Sequence, residues 1–187
     1  MIALFFGMAF AGGLHGGIPV SGVPGIGEPS FLTPATGWTA AVDGGWVRVF
    51  VGPTEAAGAE WYDRMLESIG APPPVLADLA AVTDAAHGDG ATLVSFRDGN
   101  VAVLVRVQHD ARAVADTLRA AIVDDAPALA TPTLSAVAGQ WRVDAPGAVH
   151  LRYTGGRGVP FQRGVFTEPP TEIVVWDALG RATAIMR

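Results

Sequence analysis

The sequence predicts an α+β domain, a largely antiparallel sheet with two helices packed on one face, and three observations carry that prediction. A β-branched and aromatic run, Trp46-Val-Arg-Val-Phe-Val51, is followed by an apolar stripe at three-and-four spacing behind Thr54. Asp98-Gly99 separates two alternating runs, the strongest short hairpin signal a sequence offers. A second helical stripe begins behind Asp110. The order strand, helix, hairpin, helix suggests two helices packed on one face of a largely antiparallel sheet.

In chain order, Met1 to Ala11 is an apolar run closing on Ala9-Phe10-Ala11, the small-x-small pattern that a signal peptidase cleaves. It is too short for the hydrocarbon core, which takes about 20 apolar residues, so no transmembrane span is expected here. The only positive charge ahead of the run is the α-amino group of Met1, where a standard leader carries Lys or Arg. The other reading of residues 2–10 is a buried first strand or N-terminal helix of a cytoplasmic domain. Residues 12–44 follow as a Gly/Pro-rich segment; glycine and proline fill twelve of the twenty-six positions from Gly12 to Gly37. Such a stretch recovers little of its ordering entropy by burial and reads as flexible. Residues 45–187 then form a single α+β domain.

Within that domain Trp46 to Val51 is a strand bounded by glycines and Pro53. Thr54 caps a helix whose Gly58, Trp61, Tyr62, Met65, Leu66 and Ile69 form one stripe, closed by Gly70. Residues 72–74 are prolines, and residues 75–86 read either as a short helix or as a loop with one strand turn. A two-residue Asp98-Gly99 loop pairs Arg97 with Asn100, Phe96 with Val101 and Val94 with Val103, which gathers Phe96, Val94, Val101, Val103 and Val105 on one face. Asp110 caps a second helix with Val114, Leu118, Ala121 and Ile122 inward. Further strands follow at residues 140–143 and 148–153, and a last hairpin joins residues 173–176 to 182–186.

Composition excludes several chemistries. The chain has no cysteine, and all twelve basic residues are arginine. Schiff-base lysines, the P-loop lysine, thiolate nucleophiles, cysteine zinc sites and disulfides are therefore absent. No serine sits in a Gly-x-Ser-x-Gly elbow, and no motif for a cofactor or a metal is present. The formal net charge of -6 is unevenly spread. Residues 45–140 hold twelve acids against six arginines, whereas in residues 141–164 Arg142, Arg152, Arg157 and Arg163 face Asp144 alone. An acidic body of this kind is not built for nucleic acid. Arg152, Arg157 and Arg163, around a Gly-rich loop, are candidates for holding an anion or an acidic partner group through guanidinium and backbone donors. The competing reading is a solvated hairpin whose arginines keep it soluble.

No residue is assigned as catalytic by motif. Asp84, His87 and Asp89 are the one place where a base and carboxylates crowd into a loop, and they are the candidates for acid–base or metal-dependent hydrolysis. Their spacing matches no established ligand pattern.

The stretch Thr83-Asp-Ala-Ala-His87, the hairpin Phe96 to Val105 and the helix beyond it resemble a module of exported bacterial proteins and lipoproteins of uncharacterised function. The resemblance covers about half the chain and implies an envelope protein without a known reaction. Trp176-Asp-Ala-Leu-Gly-Arg181 resembles one unit of the Tyr-Asp repeat of Rhs-type shell proteins, but a single copy is present, with Trp in place of Tyr. It reads as a tight turn in which Asp177 accepts local amides and Gly180 is left-handed. The expectation is an exported, periplasmic or secreted, non-catalytic module that binds an unknown envelope protein or a small anionic ligand. A small hydrolase using Asp84, His87 and Asp89 is the alternative, and an assembly protein with an intact, ordered N-terminus is the third reading.

Overall fold

A computed structural model describes residues 15–32, 36–68, 80–83, 90–158 and 164–186. Among these residues the elements are β1 (Ile26–Phe31), β2 (Gly37–Val42), β3 (Gly45–Val51), α1 (Glu55–Ser68), β4 (Ala80–Thr83), β5 (Thr92–Asp98), β6 (Val101–Val107), α2 (Ala111–Ala120), β7 (Thr133–Val137), β8 (Gln140–Asp144), β9 (Ala148–Thr154), β10 (Arg157–Gly158), β11 (Val165–Glu168), β12 (Glu172–Asp177) and β13 (Ala182–Met186). The architecture is α+β: antiparallel sheets with two helices. A six-stranded sheet runs β1-β2-β3-β6-β5-β4, a four-stranded one β10-β11-β8-β7, and a three-stranded one β13-β12-β9.

Both helices start where the capping residues place them. Thr54 Oγ1 accepts the Ala57 amide at 3.1 Å, and Asp110 Oδ1 accepts the Ala113 amide at 3.1 Å, so each side chain satisfies a donor that the first turn leaves unpaired. They do not share a face of the sheet, and here the sequence expectation is corrected. Tyr62, Met65 and Leu66 of α1 cluster with Phe50, Leu93, Ala102 and Leu104. Ala111, Ala115 and Leu118 of α2 cluster with Val94, Phe96, Val101, Val103 and Val105. Those two sets alternate along β5 and β6, so the helices cover opposite faces. Leu93 and Leu104, on the face opposite Val94 and Val103, lie under α1.

The central hairpin forms with its register displaced by two. Asp98 pairs with Val101, Phe96 with Val103 and Val94 with Val105. The loop is therefore Gly99-Asn100, with a positive φ of 51° at Gly99, the arrangement of a turn that needs glycine at its first central position. A slip of two preserves the side-chain alternation, so the predicted core face survives intact.

Against the expectation of a flexible segment over residues 12–44, the described residues 15–32 and 36–44 belong to the folded body. Ile18, Val20 and Val23 are buried in the α2-side core, and β1 and β2 extend the large sheet. Gly16 and Gly17 form a short antiparallel bridge with Val123: the Gly16 amide donates to the Val123 carbonyl at 2.6 Å, and the Val123 amide to the Gly17 carbonyl at 2.9 Å. Gly17, Gly27 and Gly37 in this segment lie close against neighbouring backbone. At Gly37, with φ of 141°, an added Cβ would lie 2.0 Å from the Val49 carbonyl oxygen of the neighbouring strand. Residues 1–11, expected to be a leader, lie outside the described residues.

The last hairpin matches its expectation. Asp177 Oδ1 accepts the Leu179 and Arg181 amides at 2.9 and 3.0 Å, and Gly180 has a φ of 77°. Arg181 Nε donates back to Asp177 Oδ2 at 2.7 Å, and another guanidinium nitrogen reaches the Pro127 carbonyl at 2.7 Å.

Candidate functional site

The three-stranded sheet presents one open face whose composition follows from strand register. Three rows cross it: Thr154, Glu172 and Met186; Arg152, Val174 and Ala184; His150, Trp176 and Ala182. Alternation puts all nine on the same side, opposite Tyr153, Ile173 and Ile185. A groove of about 360 Å³ lies on this face, between it and Thr36. Its floor is Val174, Ala182 and Ala184; Arg152 stands along one side, and Thr154 with Glu172 closes one end, Thr154 Oγ1 donating to Glu172 Oε2 at 3.3 Å. The Ala182 end adjoins Trp176, which is 1% exposed and whose ring meets His150 and Phe31, the latter two stacked with centroids 4.6 Å apart. Small apolar floor residues beside a guanidinium suit a ligand with a compact apolar body and an anionic end.

A second cavity, about 410 Å³, lies between His15 and Arg181, and its polar groups are already committed. His15 Nδ1 is 2.5 Å from Asp124 Oδ1 and Nε2 is 2.9 Å from Asp98 Oδ1. A carboxylate oxygen at each nitrogen favours the doubly protonated imidazolium form of the ring. Arg181 is held by Asp177, its guanidinium 2.6 Å from Oδ2. Asn100, 3% exposed, accepts the His15 amide on Oδ1 at 2.8 Å and donates Nδ2 to the His15 and Gly52 carbonyls at 3.1 and 2.8 Å. These groups fasten the N-terminal segment rather than wait for a ligand.

The His15 ion pairs give a pH dependence whose sign follows from geometry. Burial, the largest single influence, lowers the ring pKa, but the hydrogen bonds and charges of Asp124 and Asp98 together raise it above the ordinary 6.5. A raised folded-state pKa contributes stability that is complete below the unfolded value and is lost as pH climbs through the folded one. The unfolding free energy is therefore expected to fall above about pH 6.5 by less than about 1 kcal/mol, because both carboxylates are well exposed and screened. Urea midpoints taken across that range would show the slope, and His15→Gln should flatten it.

Of the residues singled out from sequence, Arg152 lies in the groove. Arg157 contributes its backbone to β10, opposite Glu168; its side chain, together with Arg163, Asp84, His87 and Asp89, lies outside the described residues. Among the described residues no cluster of His, Asp and Glu is arranged to hold a metal ion, and no helix is long and apolar enough to cross a membrane. Comparison with protein-family models, curated proteins and solved structures found no match. Sequence reasoning did not find His15, Asp98 and Asp124 as a unit. His15 is separated from its partners by 83 and 109 positions, and no local pattern encodes such a contact.

Proposed function

We propose that the chain is an exported, non-catalytic binding module of a bacterial envelope, and that its groove takes the anionic end of a small ligand or the acidic group of a partner protein at Arg152. The carrying observation is the groove itself, where a guanidinium, a threonine hydroxyl and an apolar floor converge on one open sheet face. Arg157 and Arg163, in the same basic stretch of sequence, are proposed to add to the anion's hold. Export fits the way the chain enters the fold: cleavage after Ala11 would leave only three residues before the His15 anchor.

Two measurements test the two halves of this reading. Titrating the isotopically labelled chain with inorganic phosphate and with acetate should shift the backbone amides of Val174 and Ala184. Arg152→Ala should weaken that response about tenfold, the scale of one lost charge-assisted bond. Amides that do not move for either anion would overturn the assignment of Arg152. Intact mass of the protein made in its own host should correspond to a start at Gly12; a retained Met1 would overturn export by this leader.

A further inference from the structure

We infer that the chain is a symmetric dimer in which the β13 edges of two copies pair antiparallel about Ala184, each copy's Met186 lying against the Ala182 end of the other's groove. Strand β13 is the outer strand of its sheet. The Asp177 amide donates to the Arg181 carbonyl at 3.0 Å, which makes residues 177 and 181 a hydrogen-bonded pair at the mouth of the hairpin. Antiparallel alternation then turns the amides and carbonyls of Ala182, Ala184 and Met186 away from β12. Among the described residues nothing pairs with them.

Exposed edges are normally guarded by charge, proline or a bulge. At the edge of the large sheet β1 has all three, with Glu28, Pro29 and a register shift before Pro29. The β13 sequence Ala-Thr-Ala-Ile-Met has none of them. It ends in Met186, 80% exposed.

A second copy fits this edge better than another occupant because the edge is complementary to itself. Pairing about Ala184 sets Met186 opposite the partner's Ala182, on the same face as the groove. The long, adaptable thioether chain then leans across a row of small residues, Ala182 and Ala184, that form the partner groove's floor. The two-fold repeats this knob and hole. It also joins two three-stranded sheets into one six-stranded sheet, an isologous interface. Charge permits it. β13 carries no charge, and the two Arg152 residues would stand five strand spacings apart, about 24 Å, well beyond the screening length of about 8 Å.

This inference does not depend on what the groove binds, and its test needs no ligand. Sedimentation equilibrium of the full chain should show a monomer–dimer equilibrium. Ala184→Pro removes an outward amide and should raise the dimer dissociation constant at least about tenfold, with an unchanged circular dichroism spectrum. Met186→Asp, which sets a charge against the apolar floor, should do the same by a route that leaves the backbone untouched, and it decides the matter if the proline variant misfolds. The chain has no cysteine; Ala184→Cys should therefore form a disulfide-linked dimer on mild oxidation. A chain monomeric at every concentration, or a dimer indifferent to Met186→Asp, would overturn the inference.

Discussion

Trp38→Ala is expected to lower the unfolding free energy by about 4 kcal/mol, read as a shift in the urea midpoint followed by far-ultraviolet circular dichroism. Trp38 is fully buried on β2, where it pairs with Phe31 and Val49. Two distant parts of the chain close over it. Its Nε1 donates to the Ile18 carbonyl at 3.2 Å, which anchors the N-terminal segment. Ile18 belongs to the same buried cluster. The β12–β13 turn approaches from the other side, so closely that a Cβ on Gly180 would lie 2.4 Å from Trp38 Cδ1. Truncation opens a cavity between elements that are not neighbours in sequence, and such a site collapses poorly. Trp38→Phe keeps the apolar bulk but leaves the Ile18 carbonyl without its donor, and about 2 kcal/mol is expected. A variant series in which Phe costs as much as Ala would show that the hydrogen bond, not the volume, holds the segment.

What could be read from the sequence was local. The caps at Thr54 and Asp110, the stripes behind them and the turn at Asp177 each depend on residues within a few positions of one another, and each stands where expected. The errors arise where distant residues decide. Asp98-Gly99 is the stronger isolated turn signal, yet the loop is Gly99-Asn100 because the buried Asn100 amide is required by Gly52 and by His15, 48 and 85 positions away. Glycine and proline between residues 12 and 37 implied flexibility. Yet Ile18, Val20, Val23 and Ile26 among them reach the α2-side core, and Gly17, Gly27 and Gly37 allow close passage past other backbones. Helix placement failed for a related reason: an amphipathic stripe specifies that a helix is covered, not which face of a sheet covers it.

The candidate groove was legible only in part, and for the same cause. Arg152 stood out as charge in an otherwise acidic chain, but its neighbours across the strands, Val174 and Ala184, come together only through the β9–β12–β13 register. Among the described residues the basic segment thus sets Arg152 beside an apolar floor.

Asn100→Ala is expected to cost about 3 kcal/mol in a urea unfolding series, and the reason lies in which bonds it breaks. Its side chain donates twice, to the His15 and Gly52 carbonyls, and accepts once, from the His15 amide. Its own carbonyl also accepts the Gly52 amide at 2.8 Å. The backbone bond survives the substitution, whereas three main-chain groups lose their partner. Gly52 is buried, so water does not readily replace the lost donor there. Packing leaves little room for relaxation, since a Cβ on Gly58 at the start of α1 would already lie 2.6 Å from Asn100 Cα. Asn100→Asp separates hydrogen bonding from shape. The carboxylate keeps the bond from the His15 amide but turns an oxygen toward carbonyls that need a donor. Protonation restores one donor, so burial and those carbonyls raise the pKa of the new carboxyl in the folded state. Its loss of stability should therefore be smallest in acid and grow as pH rises through that pKa, while the Ala variant's loss changes little with pH. Equal pH profiles for the two variants would mean that Asn100 acts through its shape alone. Release of the N-terminal segment, measured as faster proteolysis near residue 15, should accompany both, because the His15 backbone depends on this one amide for its clamp.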